Sequence, residues 1–305
     1  MVVIIGGHGI VGSELETLLR NCGVTSILKV GRNEPIPKSS VYFLAAGKEA
    51  SKTIIPTLPE SSFVIDLSSA HRDVFPLILP EANSHLLKSL PRRISTPNCI
   101  VSILLTALAP LHKTLEIESI YLSTYQAASG AGNIGMNDLK ESIKEQMLKN
   151  KVPESKIFSH PLGFNIIPHI DEFQENLYTK EEMKVVWEIR KILDAPNLPV
   201  SCTAVRIPTL RAHSESITVE TLYPINYDLL NKEYTYLSGI SVVDDPEKNI
   251  YPMPLTATNR YDVEVGRIRP SLIFGDYGLD LFVSGDQLLR GAALNAVLIA
   301  KSIID

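Results

Sequence analysis

The sequence opens with MVVIIGGHGIVG at residues 1–12, where an apolar run leads directly into a glycine-rich turn. Helical spacing of apolar residues follows over Ser13–Arg20, so the order is strand, glycine turn and helix. Glycines at positions 6, 9 and 12 allow a tight turn and let the backbone approach a pyrophosphate at the helix N-terminus. This order predicts the first unit of a dinucleotide-binding fold. For the motif by itself, an ordinary glycine-rich αβ turn remains the alternative.

The end of the second predicted strand indicates which dinucleotide fits. Ser26–Val30 has an extended pattern, and Arg32 follows it about twenty residues after the glycine turn. NAD enzymes usually place a carboxylate here for the ribose hydroxyls, whereas an arginine suits the 2′-phosphate of NADP. Arg32 therefore favours NADP, although Glu34 lies nearby. Further β-type runs at Val41–Leu44 and Phe63–Leu67 predict a doubly wound parallel sheet.

Composition limits the possible functions. The chain has 305 residues, 45% of them hydrophobic, and a formal net charge of −5. The length predicts two domains, and the negative charge gives no basic surface for nucleic acid. Three scattered cysteines (Cys22, Cys99 and Cys202) predict neither a disulfide framework nor a metal site. No apolar run is long enough to span a membrane and the N-terminus does not resemble a signal peptide, so we expect a cytoplasmic protein.

One of the three cysteines is a candidate nucleophile. Ser95-Thr96-Pro97-Asn98-Cys99 leads into an apolar helical stretch, Ile100–Leu111. The positive end of a helix dipole lowers the pKa of a cysteine at the helix N-terminus, so we expect an enriched thiolate at Cys99. A cysteine taken alone is more often a small buried hydrophobic residue. The polar neighbours and the position just after the nucleotide domain favour the nucleophile.

Six segments of the chain resemble signatures of the aspartate-semialdehyde dehydrogenase family, and they occur in the family's order. They are PNC at 97–99, STYQAASGAG at 123–132, FNIIPHID at 164–171, RIPTLRAHSES at 206–216, VGRIR at 265–269 and RGAALN at 290–295. A single segment would be weak, whereas six in order form a specific pattern. The segments near 34–41 and 132–164 look shorter than in the family.

The resemblance implies a reaction, a cofactor and catalytic roles. The reaction is the NADPH-dependent reductive dephosphorylation of L-aspartyl-4-phosphate to L-aspartate 4-semialdehyde, in lysine, threonine, methionine and diaminopimelate biosynthesis. Cys99 would form a thioester and Gln126 would hold the acyl intermediate. His213, with a pKa near its ordinary value, would be the general acid and base.

The resemblance also implies binding roles. Arg206 would bind the substrate α-carboxylate, Glu181 its amino group, and Arg72, Asn98 and Lys184 its phosphate. Contacts to NADP would come from the glycine turn, the second strand and two later segments: Gly6, His8, Gly9, Ile10, Val11, Gly12, Arg32, Ser129, Gly130 and Gln287.

Local patterns around these residues add two expectations. Thr179 and Glu182 form a capping box at the start of an amphipathic helix, whose apolar stripe leaves Glu181, Lys184, Glu188 and Lys191 on the other face. Spacing alone predicts that this face is solvated. Arg206 and His213 are an odd number of positions apart, so one straight strand could not present both on one face. Pro208 predicts a break between them.

The predicted fold class is α/β: an N-terminal Rossmann-type dinucleotide-binding domain and a mixed-sheet α+β catalytic and dimerisation domain. The expected bounds are 1–98 with 286–305 for the first domain and 99–285 for the second. By resemblance, we expect a homodimer whose small-molecule partners are the aspartyl substrate and phosphate. No metal is expected.

Three alternatives remain open. A related reductase could act on N-acetyl-glutamyl-phosphate or malonyl-CoA, but Glu181 and Arg206 suit a substrate with one free ammonium and one carboxylate. A non-catalytic paralogue that binds nucleotide or a partner protein should have lost Cys99 or His213, and both are present. A glyceraldehyde-3-phosphate-type enzyme fits the cysteine and the fold but lacks the glutamine and arginine–histidine segments.

Overall fold

A parallel five-stranded sheet forms the N-terminal part of the computed structural model, which describes residues 1–149 and 151–304. Its strands lie in the order β2-β1-β3-β4-β5 and all pair in parallel. The strands are β1 (Val2–Ile5), β2 (Ile27–Val30), β3 (Val41–Leu44), β4 (Phe63–Asp66) and β5 (Arg93–Ser95). This pairing confirms the predicted parallel sheet. Apolar residues of its inner strands are buried on both faces, as is typical of parallel sheets.

A separate six-stranded mixed sheet follows, in the order β7-β6-β8-β11-β10-β9. Its strands are β6 (Ile117–Gln126), β7 (Val200–Arg206), β8 (His213–Thr221), β9 (Ile240–Val242), β10 (Val263–Ser271) and β11 (Gly275–Gly285). The pairs β6–β7 and β9–β10 are parallel, and the other three pairs are antiparallel. This mixed sheet beside a parallel sheet confirms the predicted fold class.

Helices cover these sheets. They are α1 (Ile10–Asn21), α2 (Lys48–Ile54), α3 (Pro80–Asn83), α4 (Cys99–Leu115), α5 (Gly132–Lys149), α6 (Lys180–Ile192), α7 (Tyr227–Tyr234), α8 (Pro254–Ala257) and α9 (Leu294–Ile304). Helix α4 carries a nearly continuous apolar sequence and lies in the core of the mixed sheet together with residues of β6, β8 and β11. No helix in the described ranges is long and apolar enough to cross a membrane.

The chain passes between the two sheets twice. It leaves the parallel sheet after β5 and enters α4, and it returns after β11 through a π-helical turn, Leu289–Ala293, into α9. Residues of this turn and of α9 pack in one apolar cluster with β1, β3 and α1. Both crossings lie next to residues that the sequence predicts to be functional, Cys99 and Gln287.

The glycine turn joins β1 to α1, and at two of its positions only glycine fits, because there is no room for a Cβ. Gly6 has a φ of +80°, and a Cβ there would lie 2.5 Å from the carbonyl oxygen of Ala45. A Cβ on Gly12 would lie 2.5 Å from the carbonyl oxygen of Gly6 and 2.6 Å from the Cα of Gly7. Backbone atoms cannot move aside as a flexible side chain can, so only glycine allows this close approach of α1 to the turn.

We predict that Gly12→Ala destabilises the protein by about 2–3 kcal/mol, because the new methyl group must displace backbone. Gly9→Ala is the matched control: its Cβ would lie 3.3 Å from the Gly6 carbonyl oxygen, and its φ of −74° suits alanine. We expect this control to lose less than about 1 kcal/mol. Denaturant unfolding of both variants measures the difference, and equal losses would contradict this account of the turn.

Candidate active site

Three neighbouring strands of the mixed sheet bring together Arg206, Gln126 and His213. Arg206 ends β7, Gln126 ends β6 and His213 begins β8, and β6 lies between the other two. Gln126 pairs with Arg206, and the pairing of Tyr125 with Ser214 places His213 opposite Gln126. Side chains at paired positions lie on the same face of a sheet, so all three project to one side. The predicted break between Arg206 and His213 is confirmed, since they belong to different strands.

Backbone groups of Ala127 connect two of these side chains. The Arg206 Nη1 donates to the carbonyl oxygen of Ala127 at 2.6 Å, and the Ala127 N–H donates to Nδ1 of His213 at 3.0 Å. The Arg206 guanidinium also lies 5.6 Å from the ring centre of Phe158. These contacts fix the guanidinium and the imidazole on either side of Gln126.

The imidazole of His213 is fully buried. Burial and the nearby charge of Arg206 lower the pKa of His213 to about 3. The expectation of an ordinary pKa is therefore wrong: a sheet interior, invisible in the sequence, disfavours the charged ring. Since Nδ1 accepts a hydrogen bond, the neutral ring carries its proton on Nε2, which has no partner among the described residues.

Cys99 is the first residue of α4, and Asn98 is its N-cap. The side-chain oxygen of Asn98 accepts from the Ile100 N–H at 2.8 Å, which satisfies one donor of the first turn. The Asn98 Nδ2 donates to Glu181 Oε1 at 2.9 Å, and its backbone N–H donates to Glu188 Oε2 at 2.6 Å. Two carboxylates of α6 therefore hold the turn before Cys99.

The thiol of Cys99 is protonated in the free protein. Burial, reinforced by the negative charge of Glu181, raises the pKa of Cys99 to about 12. Arg72, Arg206 and the Ile100 N–H act in the opposite direction but more weakly. The expected lowering of this pKa is wrong for the free protein, because desolvation outweighs the helix N-terminus. Arg72, Arg206 and Glu181 are therefore close enough for their charges to act on the sulfur.

Gly291, in the π-helical turn before α9, lies directly against Cys99. A Cβ at this position would lie 2.8 Å from the Cβ of Cys99 and 3.1 Å from its Cα. Gly291 lies in the segment RGAALN but was not among the predicted site residues. A glycine next to a suspected nucleophile cannot be recognised from local spacing, since the contact joins distant parts of the chain.

Helix α6 carries one face of the candidate site. Its predicted capping box is present, with Thr179 accepting from the Glu182 N–H at 3.3 Å and Glu182 accepting from the Thr179 N–H at 2.7 Å. The predicted solvation of the face opposite the apolar stripe is wrong for Glu181 and Glu188, which are 7% and 5% exposed. The face packs against the turn before α4 and against the loop after β4, so tertiary contacts bury it.

The predicted phosphate-binding residues are connected through shared carboxylates. Arg72 Nη1 lies 2.8 Å from Glu188 Oε1, and Glu188 also binds the Asn98 backbone. Asn98 contacts Glu181, whose other oxygen lies 3.2 Å from Lys184 Nζ. The structure thus brings Arg72, Asn98 and Lys184 together. Glu188 was missed because its spacing is that of a solvated helix face.

Glu181 also reaches the strand ends. Its Oε1 accepts from Gln126 Nε2 at 3.4 Å, and Gln126 in turn accepts from the Thr124 hydroxyl at 2.9 Å. Lys184 makes a second ion pair with Asp171 at 2.6 Å. The carboxylate of Glu181 therefore lies between the residues predicted to bind the acyl group and those predicted to bind phosphate.

The residues predicted to bind a dinucleotide form two groups. The first is the glycine turn at the carboxyl end of β1, with His8, Gly9 and Arg32 exposed, Ile10 and Val11 half-buried and Gly6 and Gly12 closing the turn. A turn that an added Cβ would fill fits a pyrophosphate at the start of α1. Near Arg32, the Glu34 carboxylate accepts from the Gly31 N–H at 2.6 Å.

The second group lies beside His213. The Gln287 Nε2 donates to the Ser129 hydroxyl, and its Oε1 accepts from the Ala212 N–H at 2.8 Å. A Cβ on Gly130 would lie 2.8 Å from Arg206 Nη1, so this glycine leaves room for the guanidinium. Arg211 connects the group to α1, since it contacts Glu14 at 2.8 Å and Asp286 at 2.6 Å.

Comparisons with known proteins identify the family of this chain. A family model described as the semialdehyde dehydrogenase NAD-binding domain matches residues 24–90, and one described as the dimerisation domain matches residues 108–290. An aspartate-semialdehyde dehydrogenase of Synechocystis sp. is 36% identical over all of this chain and 97% of that protein. The enzyme of the same name from Bacillus subtilis is 34% identical over 99% of this chain and 96% of that protein.

A solved structure gives the same result. The crystal structure of aspartate semialdehyde dehydrogenase II from Vibrio cholerae, complexed with ASA, has a TM-score of 0.92 and 31% sequence identity. The match covers 99% of this chain and 97% of that one. The chain belongs to the aspartate-semialdehyde dehydrogenase family.

Proposed function

We propose that this protein is an aspartate-semialdehyde dehydrogenase. It reduces L-aspartyl-4-phosphate to L-aspartate 4-semialdehyde with NADPH, releases phosphate, and serves lysine, threonine, methionine and diaminopimelate biosynthesis. The observation that carries this proposal is the thiol of Cys99 at the start of α4, with the charges of Arg72, Arg206 and Glu181 around it. A partly buried nucleophile near fixed charges of both signs suits a small zwitterionic acyl phosphate.

The charged groups divide the substrate between them. Arg206, buried and fixed by Ala127, would bind the α-carboxylate, and Glu181 would bind the α-ammonium group. Arg72, Lys184 and the side chain of Asn98 would bind the phosphate. An N-acetylated substrate has no ammonium group to offset the buried Glu181, and this favours the free amino acid over N-acetyl-glutamyl-phosphate.

Sulfur chemistry divides the reaction into two steps. The sulfur of Cys99 attacks the acyl carbon, the carbon–oxygen bond to phosphate breaks, and the departing phosphate takes up the thiol proton, so a thioester remains on the protein. The dinucleotide, when bound, supplies the hydride that reduces this thioester. The carbon–sulfur bond then breaks, the aldehyde leaves, and the sulfur takes up a proton from solvent to restore the thiol. Gln126, between Arg206 and His213, would hold the acyl group in line.

His213 acts as a hydrogen-bond donor in this scheme. Its Nδ1 accepts the Ala127 N–H, so the proton on Nε2 is available to the oxygen that becomes negative when the thioester carbonyl is attacked. Accepting the thiol proton at Nε2 would require the other tautomer, which would place two hydrogens between Nδ1 and Ala127. The geometry therefore supports His213 as a hydrogen-bond donor to this oxygen rather than as a general base.

The two domains would have different functions, with NADP binding in the first and catalysis in the second. We propose that residues 1–98 with 286–305 bind NADP, with contacts from Gly6, His8, Gly9, Ile10, Val11, Gly12, Arg32, Ser129, Gly130 and Gln287. Residues 99–285 would provide the catalytic groups and the dimer interface. Ser129 belongs to the second range but accepts a hydrogen bond from Gln287 of the first, and this supports a cofactor site shared by both.

A homodimer is the proposed assembly. The match of residues 108–290 to a dimerisation domain supports it. The face of the mixed sheet opposite α4 carries Tyr121, Tyr125 and Phe282, an aromatic surface suited to a second copy. We propose the cytoplasm as the location, because all three cysteines are free thiols.

The purified protein should reduce NADP in the presence of L-aspartate semialdehyde and inorganic phosphate, with no rate when phosphate is omitted. Cys99→Ser should retain NADP binding and lose at least about 10³-fold in kcat, because a serine hydroxyl is a far weaker nucleophile than the thiol at neutral pH. Absorbance at the NADPH band measures both. A Cys99→Ser variant with substantial turnover would rule out the thioester, and activity only with N-acetylglutamate semialdehyde would reassign the substrate.

The raised pKa of Cys99 predicts how its reactivity depends on pH. Only the thiolate is alkylated, and below its pKa the thiolate fraction rises about tenfold for each pH unit. Iodoacetamide labelling of Cys99 in the free protein should therefore keep rising from about pH 6 to pH 9 without levelling off. Mass spectrometry of the Cys99 peptide measures it, with the exposed Cys22 labelled in the same sample as a control for the reagent. A plateau near neutral pH would contradict the prediction.

Arg32 is proposed to distinguish NADP from NAD. Arg32→Ala should raise the KM for NADP by about tenfold and leave the KM for NAD unchanged, since only NADP has a 2′-phosphate for the guanidinium. Arg20→Ala is the control, because Arg20 is also an exposed arginine but pairs with Glu16 at 2.8 Å on α1. Steady-state kinetics with each cofactor decide the point. Equal changes for both cofactors would exclude Arg32 as the selective contact.

A further inference from the structure

Glu188 is a buried carboxylate of α6 to which the reaction proposed above assigns no role. Its two oxygens contact different segments: Oε1 lies 2.8 Å from Arg72 Nη1, and Oε2 accepts the backbone N–H of Asn98 at 2.6 Å. Arg72 and Glu188 are 116 positions apart. One carboxylate therefore joins an arginine of the loop after β4 to the turn that carries the nucleophile.

This contact determines which edge of Arg72 is available to a ligand. Glu188 occupies Nη1, and Nη2 makes only a long contact of 3.4 Å with the carbonyl oxygen of Leu67. Nε of Arg72 is buried and has no hydrogen-bond partner in the described part of the chain. The Nε and Nη2 donors form the side edge of a guanidinium, and that edge can bind two oxygens of one phosphate.

Lys191, one turn after Glu188 on α6, holds the backbone of the same loop. Its Nζ donates to the carbonyl oxygens of Arg72 at 2.6 Å, Asp73 at 3.0 Å and Phe75 at 3.0 Å. Helix α6 therefore fixes Arg72 twice, through its guanidinium and through its main chain. A surface ion pair would not require both contacts. Two contacts that hold the side chain and the backbone of Arg72 suit an arginine that must present one edge in a defined direction.

We propose that Glu188 and Lys191 are positioning residues for phosphate. They turn the Nε–Nη2 edge of Arg72 toward the phosphoryl group and, through the Asn98 N–H, fix that edge relative to Cys99. This role rests on the function proposed above. It is separate from substrate contact, because the two residues act through Arg72 and Asn98.

Glutamine at position 188 tests the proposal with little change in volume. Both partners of the carboxylate are donors, so an amide, with one acceptor oxygen, satisfies only one of them. Glu188→Gln should raise the KM for inorganic phosphate about 10- to 100-fold, as expected for the loss of one hydrogen bond to a charged group. The KM values for semialdehyde and NADP should stay within about twofold. An unchanged phosphate KM would overturn the proposal.

Glu182→Gln is the matched control. Glu182 is also a buried carboxylate of α6 whose oxygens accept two N–H groups, those of Thr179 at 2.7 Å and Ala204 at 2.9 Å, but it touches neither Arg72 nor Asn98. We expect this variant to lower the Tm and leave the phosphate KM within about twofold. If both variants raise the phosphate KM equally, Glu188 only stabilises the helix and the positioning role is wrong.

Lys191→Met is a second variant, which keeps the buried carboxylate and releases the loop. The phosphate KM should rise about 3- to 10-fold, because the guanidinium contact remains while its backbone is free to move. This variant carries the test should Glu188→Gln fail to fold. An unchanged phosphate KM in Lys191→Met would remove Lys191 from the proposal.

Calorimetric titration of inorganic phosphate into the protein, without other substrates, separates this proposal from the proposed function. If the unmodified protein binds phosphate and Glu188→Gln weakens the Kd, the positioning role stands even when no phosphate-dependent reaction is found. If the reaction is found and the variants change neither Kd nor KM, the function stands and the positioning role fails. Absence of phosphate binding in the unmodified protein overturns the positioning role, and the assay of the phosphate-dependent reaction then decides the proposed function separately.

Discussion

The structure of the candidate site depends on the two buried carboxylates of α6 that hold Asn98. Glu181 takes its side-chain amide and Glu188 takes its backbone N–H. A buried carboxylate is costly unless it is paired, and these two are paired with Arg72, Lys184 and the amide groups of Asn98. The turn before Cys99 and the residues proposed to bind phosphate and substrate therefore belong to one hydrogen-bonded network.

The electrostatic environment of the site determines the protonation states of Cys99 and His213. Burial keeps the Cys99 thiol protonated and the His213 ring neutral in the free protein. Neutral side chains avoid uncompensated charge in the interior, and in the proposed reaction the negative charge would arrive with the substrate and its phosphate. Arg206 and Arg72 are the fixed positive charges that act on the sulfur, so the site is prepared for an anion before one binds.

The sequence predicted features that depend on local chemistry. The strands Val41–Leu44 and β4, the capping box at Thr179 and Glu182, and the break at Pro208 all follow from propensity or from a hydrogen bond within a few residues. Features that depend on burial were not predictable. Glu188 has the spacing of a solvated face, and only the distant loop of Arg72 packs against it. The predicted pKa values of Cys99 and His213 were wrong for the same reason, because desolvation depends on tertiary structure.

The return of the chain to the parallel sheet also bears on how the protein is made. Residues 289–300 complete the apolar cluster that covers β1, β3 and α1. Until these residues have been synthesised, the apolar face of the parallel sheet that they cover lacks its partner. The N-terminal domain, although it begins the chain, therefore completes its core only when the C-terminal helix is available.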